Sequence, residues 1–307
     1  MGARAKGRLP SARQVLVRLC ADVVALVVPG VLIVTAAIPL YGLPLLWIVQ
    51  SIACLGFSNA AHEAVHGHLC GSVNRDWWVG RLLLGVIFIN FDAHRIYHLT
   101  HHALLGEDGD PEGDFDYSSF SGPMNYSLLA LRWAVPPSPL HILNVRLALR
   151  LVRGGDGKGM RVLAGQAMVG VHIVIVGMAV AELGWQTVAL AWLVPILVVF
   201  PFIAYLTAVP EHFGLGHPSS QMSGTRTVFT NGWFQWLLWN FNHHTAHHTD
   251  PRIPFDLLPA ATRHMQDLDL AFPTEDGYFR FHASLLHTLT GETGRADDSS
   301  SGMRHRR

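Results

Sequence analysis

The sequence predicts an all-α membrane protein with four transmembrane helices that form two hairpins. Two observations support this prediction: half of the 307 residues are hydrophobic whereas only 14% are charged, and the apolar residues gather in long runs. Soluble proteins carry about 25% charged residues, so this composition excludes an ordinary water-soluble domain. The 22 basic and 22 acidic residues balance each other, which removes the electrostatic basis for a nucleic-acid partner.

The first hairpin is predicted from the long apolar stretch that follows a basic N-terminal segment, residues 1–22. A helix needs about 20 apolar residues to cross the hydrocarbon of a bilayer. The stretch has room for two such spans, at about residues 23–40 and 43–61, with Pro39 and Pro44 marking the turn between them. The apolar run does not end at a small-residue cleavage site, so we interpret it as a retained hairpin and not as a signal peptide.

The second hairpin is predicted at residues 162–181 and 187–209, joined by a short link that contains Glu182. Basic residues crowd the approach to its first span: Arg146, Arg150, Arg153, Lys158 and Arg161. Cytoplasmic segments of membrane proteins carry an excess of Lys and Arg, so both hairpins are expected to enter from the cytoplasm and return to it. Residues 61–160 and 210–307 then lie on the cytoplasmic side.

Two shorter apolar stretches are expected to lie in the membrane interface as helices, because they are too short or too interrupted to cross it. They cover residues 77–91 and 233–241, and both contain tryptophan, which favours the interface. The membrane domain is predicted to extend over residues 23–290. The polar, serine-rich tail at residues 291–307 is predicted to be disordered.

Eight of the 19 histidines of the chain lie in three short boxes. The boxes are His62-x-x-x-His66, His98-x-x-His101-His102 and His244-x-x-His247-His248. On a helix, positions i, i+3 and i+4 lie on the same side, with Cβ atoms about 5–6 Å apart, so each box can direct its imidazoles to one centre. Imidazole binds zinc, copper and iron. Eight such ligands exceed what one tetrahedral ion uses, which indicates two metal ions held by a cytoplasmic helical cap.

The order of the boxes and their position after each hairpin resemble the integral-membrane fatty acid desaturase superfamily, which also includes alkane hydroxylases and carotenoid ketolases and hydroxylases. The resemblance covers roughly residues 20–265. It implies that the eight box histidines bind two iron ions at the cytoplasmic face. It also implies that dioxygen is activated there to attack unactivated C–H bonds of an acyl or other lipid-like substrate.

The resemblance extends to three positions outside the boxes, His212, Asn240 and Asp110, and helical spacing adds a fourth position, His94. His212, at the end of the fourth span, resembles an additional histidine ligand of the family. Asn240, four residues before the third box, is expected on the ligand face of a helix, in or near the metal shell. His94, four residues before the second box, is expected to support a ligand by hydrogen bonding. Asp110 resembles family aspartates that orient ligand histidines, although its acidic surroundings are also typical of a solvated loop.

The electrons for such a reaction are expected from a separate protein, ferredoxin-like or cytochrome-type, together with its reductase. This expectation arises because the sequence contains no haem-binding cytochrome domain and no obvious flavin or dinucleotide fingerprint. Desaturation is the favoured reaction, but hydroxylation or ketolation of a lipid or carotenoid uses the same ligands, and histidine spacing does not separate them.

One distant alternative comes from the first box. The residues from His62 to His66 also satisfy H-E-x-x-H, the zinc-protease helix in which Glu63 would be the general base. An intramembrane protease would leave the second and third boxes unexplained. A metal transporter would need ligands near the middle of the spans, where only His172 is found.

Overall fold

The computed structural model describes residues 9–112, 123–154, 158–215 and 218–289, and these ranges are mostly helical with almost no strand. The helices are α1 (Ala12–Val34), α2 (Leu43–His66), α3 (Val73–Val86), α4 (Phe91–Leu104), α5 (Pro123–Ala134), α6 (Pro139–Arg153), α7 (Gly159–Leu183), α8 (Trp185–Val188), α9 (Phe200–His212), α10 (Gly232–Leu237), α11 (His244–Thr249), α12 (Leu258–Asp267) and α13 (Tyr278–Leu289). Short 3₁₀ turns occupy Leu40–Gly42 and Phe255–Leu257, and π-helical turns occupy Ala189–Leu193 and Pro195–Val199. The predicted disordered tail, residues 291–307, lies outside the described residues.

Within the described residues, four helical segments are long and apolar enough to cross a membrane, the same number as the predicted spans. They are Ala12–Val34, Leu40–His66, Gly159–Leu183 and Trp185–His212, with mean hydropathy between 1.7 and 2.4. The arrangement of these segments as hairpins that open to the cytoplasm stays a prediction.

Two of the predicted boundaries differ from the observed ones. The first helix begins at Ala12, so residues 12–22 of the predicted basic segment are helical and continuous with the first apolar run. Arginine has a high helix propensity, and a charge by itself does not end a helix. The second helix continues to His66, so the first histidine box lies on the final turns of α2.

The chain divides into two compact units. The first consists of residues 1–100 and 131–205, and the second consists of residues 101–130 and 206–307. The first unit contains the four apolar segments as far as Tyr205, together with α3, α6 and most of α4. The second unit contains the remaining residues of α9 and the elements from β1 (Thr227–Val228) to α13.

Polar side chains of α2 bind backbone carbonyls within the first unit. Gln50 is fully buried, and its Nε2 donates to the carbonyls of Leu26, at 3.1 Å, and Ala191, at 2.9 Å. The Ser51 hydroxyl donates to the carbonyl of Pro195, at 2.9 Å. Proline and π-helical turns disturb the regular helical hydrogen-bond ladder, and a carbonyl in an apolar interior needs a partner. These side chains therefore tie α2 to the irregular part of the fourth apolar segment.

The start of α4 is fixed by Asn90, which is buried directly before the helix. Its Oδ1 accepts from the backbone N–H of Ala93, at 3.1 Å, as an N-capping side chain does. Its Nδ2 donates to the carbonyl of Val162, at 2.8 Å, and its own backbone N–H donates to Asn144 Oδ1, at 2.8 Å. Asn90 thereby joins α4 to α6 and α7.

A buried ion pair also holds α4 in the first unit. Arg81 on α3 donates through Nε to Asp92 Oδ2, at 2.7 Å, and through Nη2 to Oδ1, at 3.1 Å. Both side chains are almost fully buried. The pair fixes the first turn of α4 against α3, and His98 lies farther along the same helix.

The second unit is held together around a two-stranded parallel sheet. Thr227 pairs with Thr274 of β2 (Thr274–Glu275), and Val228 pairs with Glu275. The backbone N–H of Val228 also donates to the carbonyl of Asn242, at 2.9 Å, and Asn242 Nδ2 donates to the carbonyl of Val228, at 3.0 Å. These bonds fix the chain just before α11, which carries the third histidine box.

The two predicted interfacial helices are shorter than expected. The stretch at residues 77–91 forms the later part of α3, and a turn separates it from α4. In the stretch at residues 233–241 only the six-residue α10 begins a helix, because Trp239 and Asn240 have positive φ angles of 55° and 61°. Trp233 is exposed whereas Trp239 is fully buried, so only part of this stretch is available to a membrane surface.

Candidate metal centre

The first unit brings together three predicted ligands from two helices. His62 and His66 lie on the last turns of α2, and His98 lies on α4. His66 Nε2 and His98 Nε2 are 3.1 Å apart, and one nitrogen of each of the three rings lies within 4.8 Å of the others. Gly67 ends α2 directly after His66 with a φ of 82°, a left-handed conformation that favours glycine.

The second unit brings together a second group of three predicted ligands: His101, His212 and His248. One nitrogen of each ring lies within 4.8 Å of the others. The rings come from α4, α9 and α11, which are far apart in the sequence. This group therefore depends on the tertiary structure of the second unit and not on the spacing within any one box.

Each ring of this second group has its Nδ1 atom next to a hydrogen-bond acceptor. His101 Nδ1 lies 2.9 Å from Asp110 Oδ1, and His212 Nδ1 lies 2.9 Å from the carbonyl oxygen of Gly224. His248 Nδ1 lies 3.0 Å from an amide oxygen, Oε1 of Gln221. A carbonyl or carboxylate oxygen only accepts, so each Nδ1 carries the proton. The lone pair of each neutral ring is then on Nε2, as a metal ligand requires.

The Nε2 atom of His248 gives a direct test of whether a metal ion fits this group. The atom is buried and has no hydrogen-bond partner within the described part of the chain. Leaving a buried acceptor unsatisfied costs about 1–3 kcal/mol. A metal ion bound by Nε2 would satisfy it, so the group has the donor chemistry that a metal requires.

Two further pairs of predicted ligands in the second unit have facing nitrogens. His102 Nε2 and His247 Nε2 are 3.0 Å apart, and His212 Nε2 and His244 Nε2 are 2.9 Å apart. Metal–nitrogen bonds of about 2 Å at right or tetrahedral angles place two ligand nitrogens roughly 3 Å apart. The pairs thus have the separation that two imidazoles on one ion present.

Burial favours the neutral form of several of these rings, because it lowers their pKa values. It lowers the pKa of His102 to about 3, and the neighbouring His101 adds to the shift. It also holds the pKa values of His244 and His248 well below the ordinary value, and nearby imidazoles contribute. The neutral imidazole is the form that binds a metal ion, so these rings do not have to lose a proton at neutral pH.

His101 differs from its neighbours because carboxylates surround it. Burial alone would lower its pKa, but the charges of Glu112 and Asp110 and the hydrogen bond to Asp110 raise it. The Glu112 carboxylate lies 3.5 Å from His101 Nε2, and that of Glu211 lies 3.8 Å from His244 Nδ1. Of these carboxylates, Asp110 lies within hydrogen-bond distance of a ligand ring, at His101 Nδ1. A carboxylate hydrogen-bonded in this way increases the basicity of the ring toward a metal ion.

Asp110 is buried, so the alternative of a solvated acidic loop is wrong at this residue. Its carboxylate accepts from the backbone N–H groups of Gly106 and Glu112, each at 2.9 Å, as well as from His101. Burial would raise the pKa of Asp110, but these hydrogen bonds and the charge of His101 hold it below the ordinary value. The carboxylate is therefore ionised at neutral pH.

Asn240 does not have the predicted helical relation to the third box. Helix α11 begins only at His244, and Asn240 has a φ of 61°. Its Nδ2 donates to the carbonyl of Phe255, at 2.9 Å. The left-handed backbone at Asn240 interrupts helical geometry before α11 begins. Asn240 and His244 are four residues apart but therefore do not share a face of one helix. Its role at a metal stays a prediction.

His94 stacks on His98, with ring centroids 6.0 Å apart and an interplanar angle of 18°. Burial lowers the pKa of His94 to about 4. His243, which directly precedes the third box, has both ring nitrogens in hydrogen bonds, to Thr262 Oγ1 at 2.9 Å and to Gln235 Oε1 at 3.1 Å. It is therefore a structural histidine. The supporting role of His94 stays a prediction.

Sequence reasoning missed two contributors to the second group: the side chain of Gln221 and the carbonyl of Gly224. Both lie between α9 and β1, in a segment without a box, a charge run or a regular element. No spacing signal connects Gln221 with His248, because the connection is made by the folded chain.

Comparison with known proteins agrees with the geometry of these histidines. Residues 36–281 match the model of a family described as fatty acid desaturase. The chain belongs to this desaturase family. A curated relative from Arthrospira platensis, named sn-1 oleoyl-lipid 12-desaturase, is 23% identical over 238 residues, which cover 72% of this chain and 67% of the relative.

The fatty acid desaturases are lipid-related oxidoreductases, and the match extends across all three histidine boxes and three of the four apolar segments. Family membership and the four segments together identify the chain as a membrane protein. The clustered histidines indicate that this desaturase holds a metal site.

Proposed function

We propose that the chain is a multi-pass membrane di-iron enzyme that desaturates an acyl chain, using dioxygen and electrons from a separate donor protein. One observation carries the proposal: three histidines from α4, α9 and α11 converge with each Nδ1 on an acceptor. The Nε2 lone pairs are thereby presented to a common centre. A second group of three, on α2 and α4, supplies a site for the other iron ion.

The residues of the chain would act by holding and shielding the metals. All nine predicted ligands are proposed to bind iron: His62, His66, His98, His101, His102, His212, His244, His247 and His248. When bound, the iron supplies the dioxygen chemistry by which two hydrogen atoms are removed from the acyl chain. Two external electrons and two protons complete the reduction of dioxygen to two water molecules.

The proposed membrane topology rests on the distribution of basic residues along the sequence. Basic residues precede the first and third apolar segments, which supports cytoplasmic approaches to both. We therefore propose two hairpins open to the cytoplasm, with the metal ligands on that side. A soluble electron donor of the ferredoxin or cytochrome type, with its reductase, would reach the site there.

The substrate is proposed to be an acyl group within a membrane lipid. The curated relative is named for an sn-1 oleoyl-lipid, and four apolar segments give such a chain direct access from the bilayer. If the acyl chain lies between the helices, the head group of the lipid stays at the membrane interface, near polar residues.

Product analysis of the purified protein in lipid nanodiscs tests the proposal. The protein is loaded with iron(II) and supplied with a reductase, ferredoxin and dioxygen, and then given an oleoyl glycerolipid, oleoyl-coenzyme A or a carotenoid. Mass spectrometry is expected to show the loss of two hydrogen atoms from the glycerolipid acyl chain. A His98→Ala variant serves as the inactive control and His264→Ala, an exposed residue on α12, as the active one.

A product that has gained one oxygen atom would show that the same ligands carry out hydroxylation or ketolation and not desaturation. A single tightly bound zinc ion, with peptide cleavage that is lost in Glu63→Ala, would overturn the proposal in favour of a protease. The family match argues against the protease, and the name of the curated relative supports desaturation as the favoured reaction.

A further inference from the structure

We propose that Gln221 is a positioning residue that fixes the protonation and orientation of His248 for metal binding. This inference rests on the proposed metal-binding function and concerns the segment at residues 218–226, between α9 and β1. Gln221 touches two histidine boxes: its side chain contacts the ring of His248 and the backbone of His102.

The orientation of the Gln221 amide is determined by the contact with His102. Gln221 Nε2 donates to the carbonyl oxygen of His102, at 2.9 Å. A carbonyl only accepts, so the nitrogen end of the amide has to face it, and the oxygen end is left for His248. His102 is among the last four residues of α4, whose carbonyls lack partners within the helix. Gln221 therefore also satisfies the end of this helix.

The orientation of the amide in turn determines the tautomer of His248. Gln221 Oε1 lies 3.0 Å from His248 Nδ1 and can only accept, so the proton is on Nδ1. The lone pair of His248 is then on Nε2, the buried atom that has no hydrogen-bond partner among the described residues. The side-chain amide of Gln221 thus connects the backbone of His102, in the second box, with the ring of His248, in the third box.

The backbone of the segment is held in place by its own contacts. The Thr225 hydroxyl donates to the carbonyl of Gln221, at 2.8 Å. Gly224 packs so closely on Pro218 that a Cβ atom at position 224 would lie 2.6 Å from Pro218 Cγ. The carbonyl of Gly224 accepts from His212 Nδ1. The same short segment therefore supplies two of the three acceptors that orient the second histidine group.

The partly buried side chain of Arg226 anchors the end of the segment. Its guanidinium donates to the carbonyls of Pro210 and Phe213, the latter at 3.0 Å, on either side of the end of α9. The backbone N–H of Arg226 donates to the carbonyl of Glu211, at 2.8 Å. These bonds connect the segment, and with it the acceptors on Gln221 and Gly224, to the turn of α9 that carries His212.

Three variants test the role of Gln221. Gln221→Leu removes both hydrogen bonds, whereas Gln221→Glu keeps an acceptor for His248 and loses the donor to His102. The matched control is Gln235→Leu, because Gln235 makes the same kind of contact with His243, a histidine outside the boxes. Each purified protein is titrated with cobalt(II), whose visible absorption reports the ligand geometry, and its bound iron is counted after loading with iron(II).

Gln221→Leu is expected to bind one of its two metal ions about 10–100-fold more weakly, the typical cost of losing a hydrogen-bond partner of a ligand. Gln221→Glu is expected to keep both ions but to shift the cobalt absorption, because a carboxylate makes the ring more basic. Gln235→Leu is expected to match the wild type in both measurements. Thermal unfolding of the metal-free proteins shows whether Gln221→Leu is folded.

An unchanged affinity and an unchanged cobalt spectrum in a folded Gln221→Leu protein would overturn the inference. If that variant does not fold, an unchanged spectrum in Gln221→Glu has the same consequence. Failure of the wild-type chain to bind any metal would instead overturn the proposed function, so the two failures are distinguishable.

Discussion

His101 Nδ1 lies 2.9 Å from Asp110 Oδ1, and both side chains are buried. The carboxylate is held in turn by the backbone N–H groups of Gly106 and Glu112. The loop after α4 therefore supplies an oriented negative charge to a ligand of the second histidine group. Carboxylate–histidine pairs of this kind fix the tautomer and increase the basicity of a metal-binding ring.

We predict that Asp110→Asn lowers metal affinity about 10–100-fold, because the amide keeps the shape of the side chain and loses its charge. Equilibrium titration with cobalt(II) measures the change. Asp108→Asn, an exposed substitution in the same loop, is the control and is expected to bind as the wild type does. Equal affinity of the Asp110 variant and this control would show that the charge does not support the site.

We predict that His101→Ala and His247→Ala abolish turnover and lower the metal content together. His101 belongs to the second group of three, and His247 Nε2 faces His102 Nε2, whereas His264→Ala removes an exposed imidazole outside these sets. Iron content by mass spectrometry and product formation are measured on the same preparations. Two iron ions per chain with normal activity in either cluster variant would refute the assignment of these ligands.

The buried pair of Arg81 and Asp92 is predicted to stabilise the first unit strongly. Arg81→Met leaves the Asp92 carboxylate buried without its bidentate partner, and such changes cost about 3–5 kcal/mol. Thermal unfolding in detergent is expected to occur at a clearly lower temperature than in the wild type. Arg75→Met, an exposed substitution on the same helix, is the control, and adding Asp92→Leu to Arg81→Met should recover part of the loss.

Gln50→Leu is predicted to loosen the packing of α2 on the fourth apolar segment. The change removes two donors, so the buried carbonyls of Leu26 and Ala191 lose a partner, at a cost of about 1–3 kcal/mol. Thermal unfolding again provides the measurement, with the exposed Gln186→Leu as the control. An unfolding temperature as high as that of the control would mean that these carbonyls find other partners.

The four long apolar helices could be predicted from composition and run length, because a bilayer-spanning helix has to be apolar over about 20 residues. The ends of these helices could not be predicted in the same way. Hydropathy does not report where a helix begins or ends. The predicted first span starts at Val23, after the basic residues, although α1 starts at Ala12. The predicted second span stops before the polar first box, although α2 continues to His66.

The ligand candidates could be predicted because box spacing is a local property of a helix. His62 and His66 are one turn apart on α2, and His244, His247 and His248 share α11. The same local argument failed at Asn240, where a left-handed residue ends the regular backbone before the helix starts.

The sequence alone determined that the chain is apolar enough for a membrane and that its histidines are spaced for metal binding, because both properties depend on residues close together in the chain. Only the tertiary structure decided that His101, His212 and His248 form one group and that Asp110, Gly224 and Gln221 orient them. The physical reason is that a hydrogen bond fixes a tautomer only when donor and acceptor meet within about 3 Å. For residues as far apart in the sequence as Gln221 and His248, folding alone brings them that close.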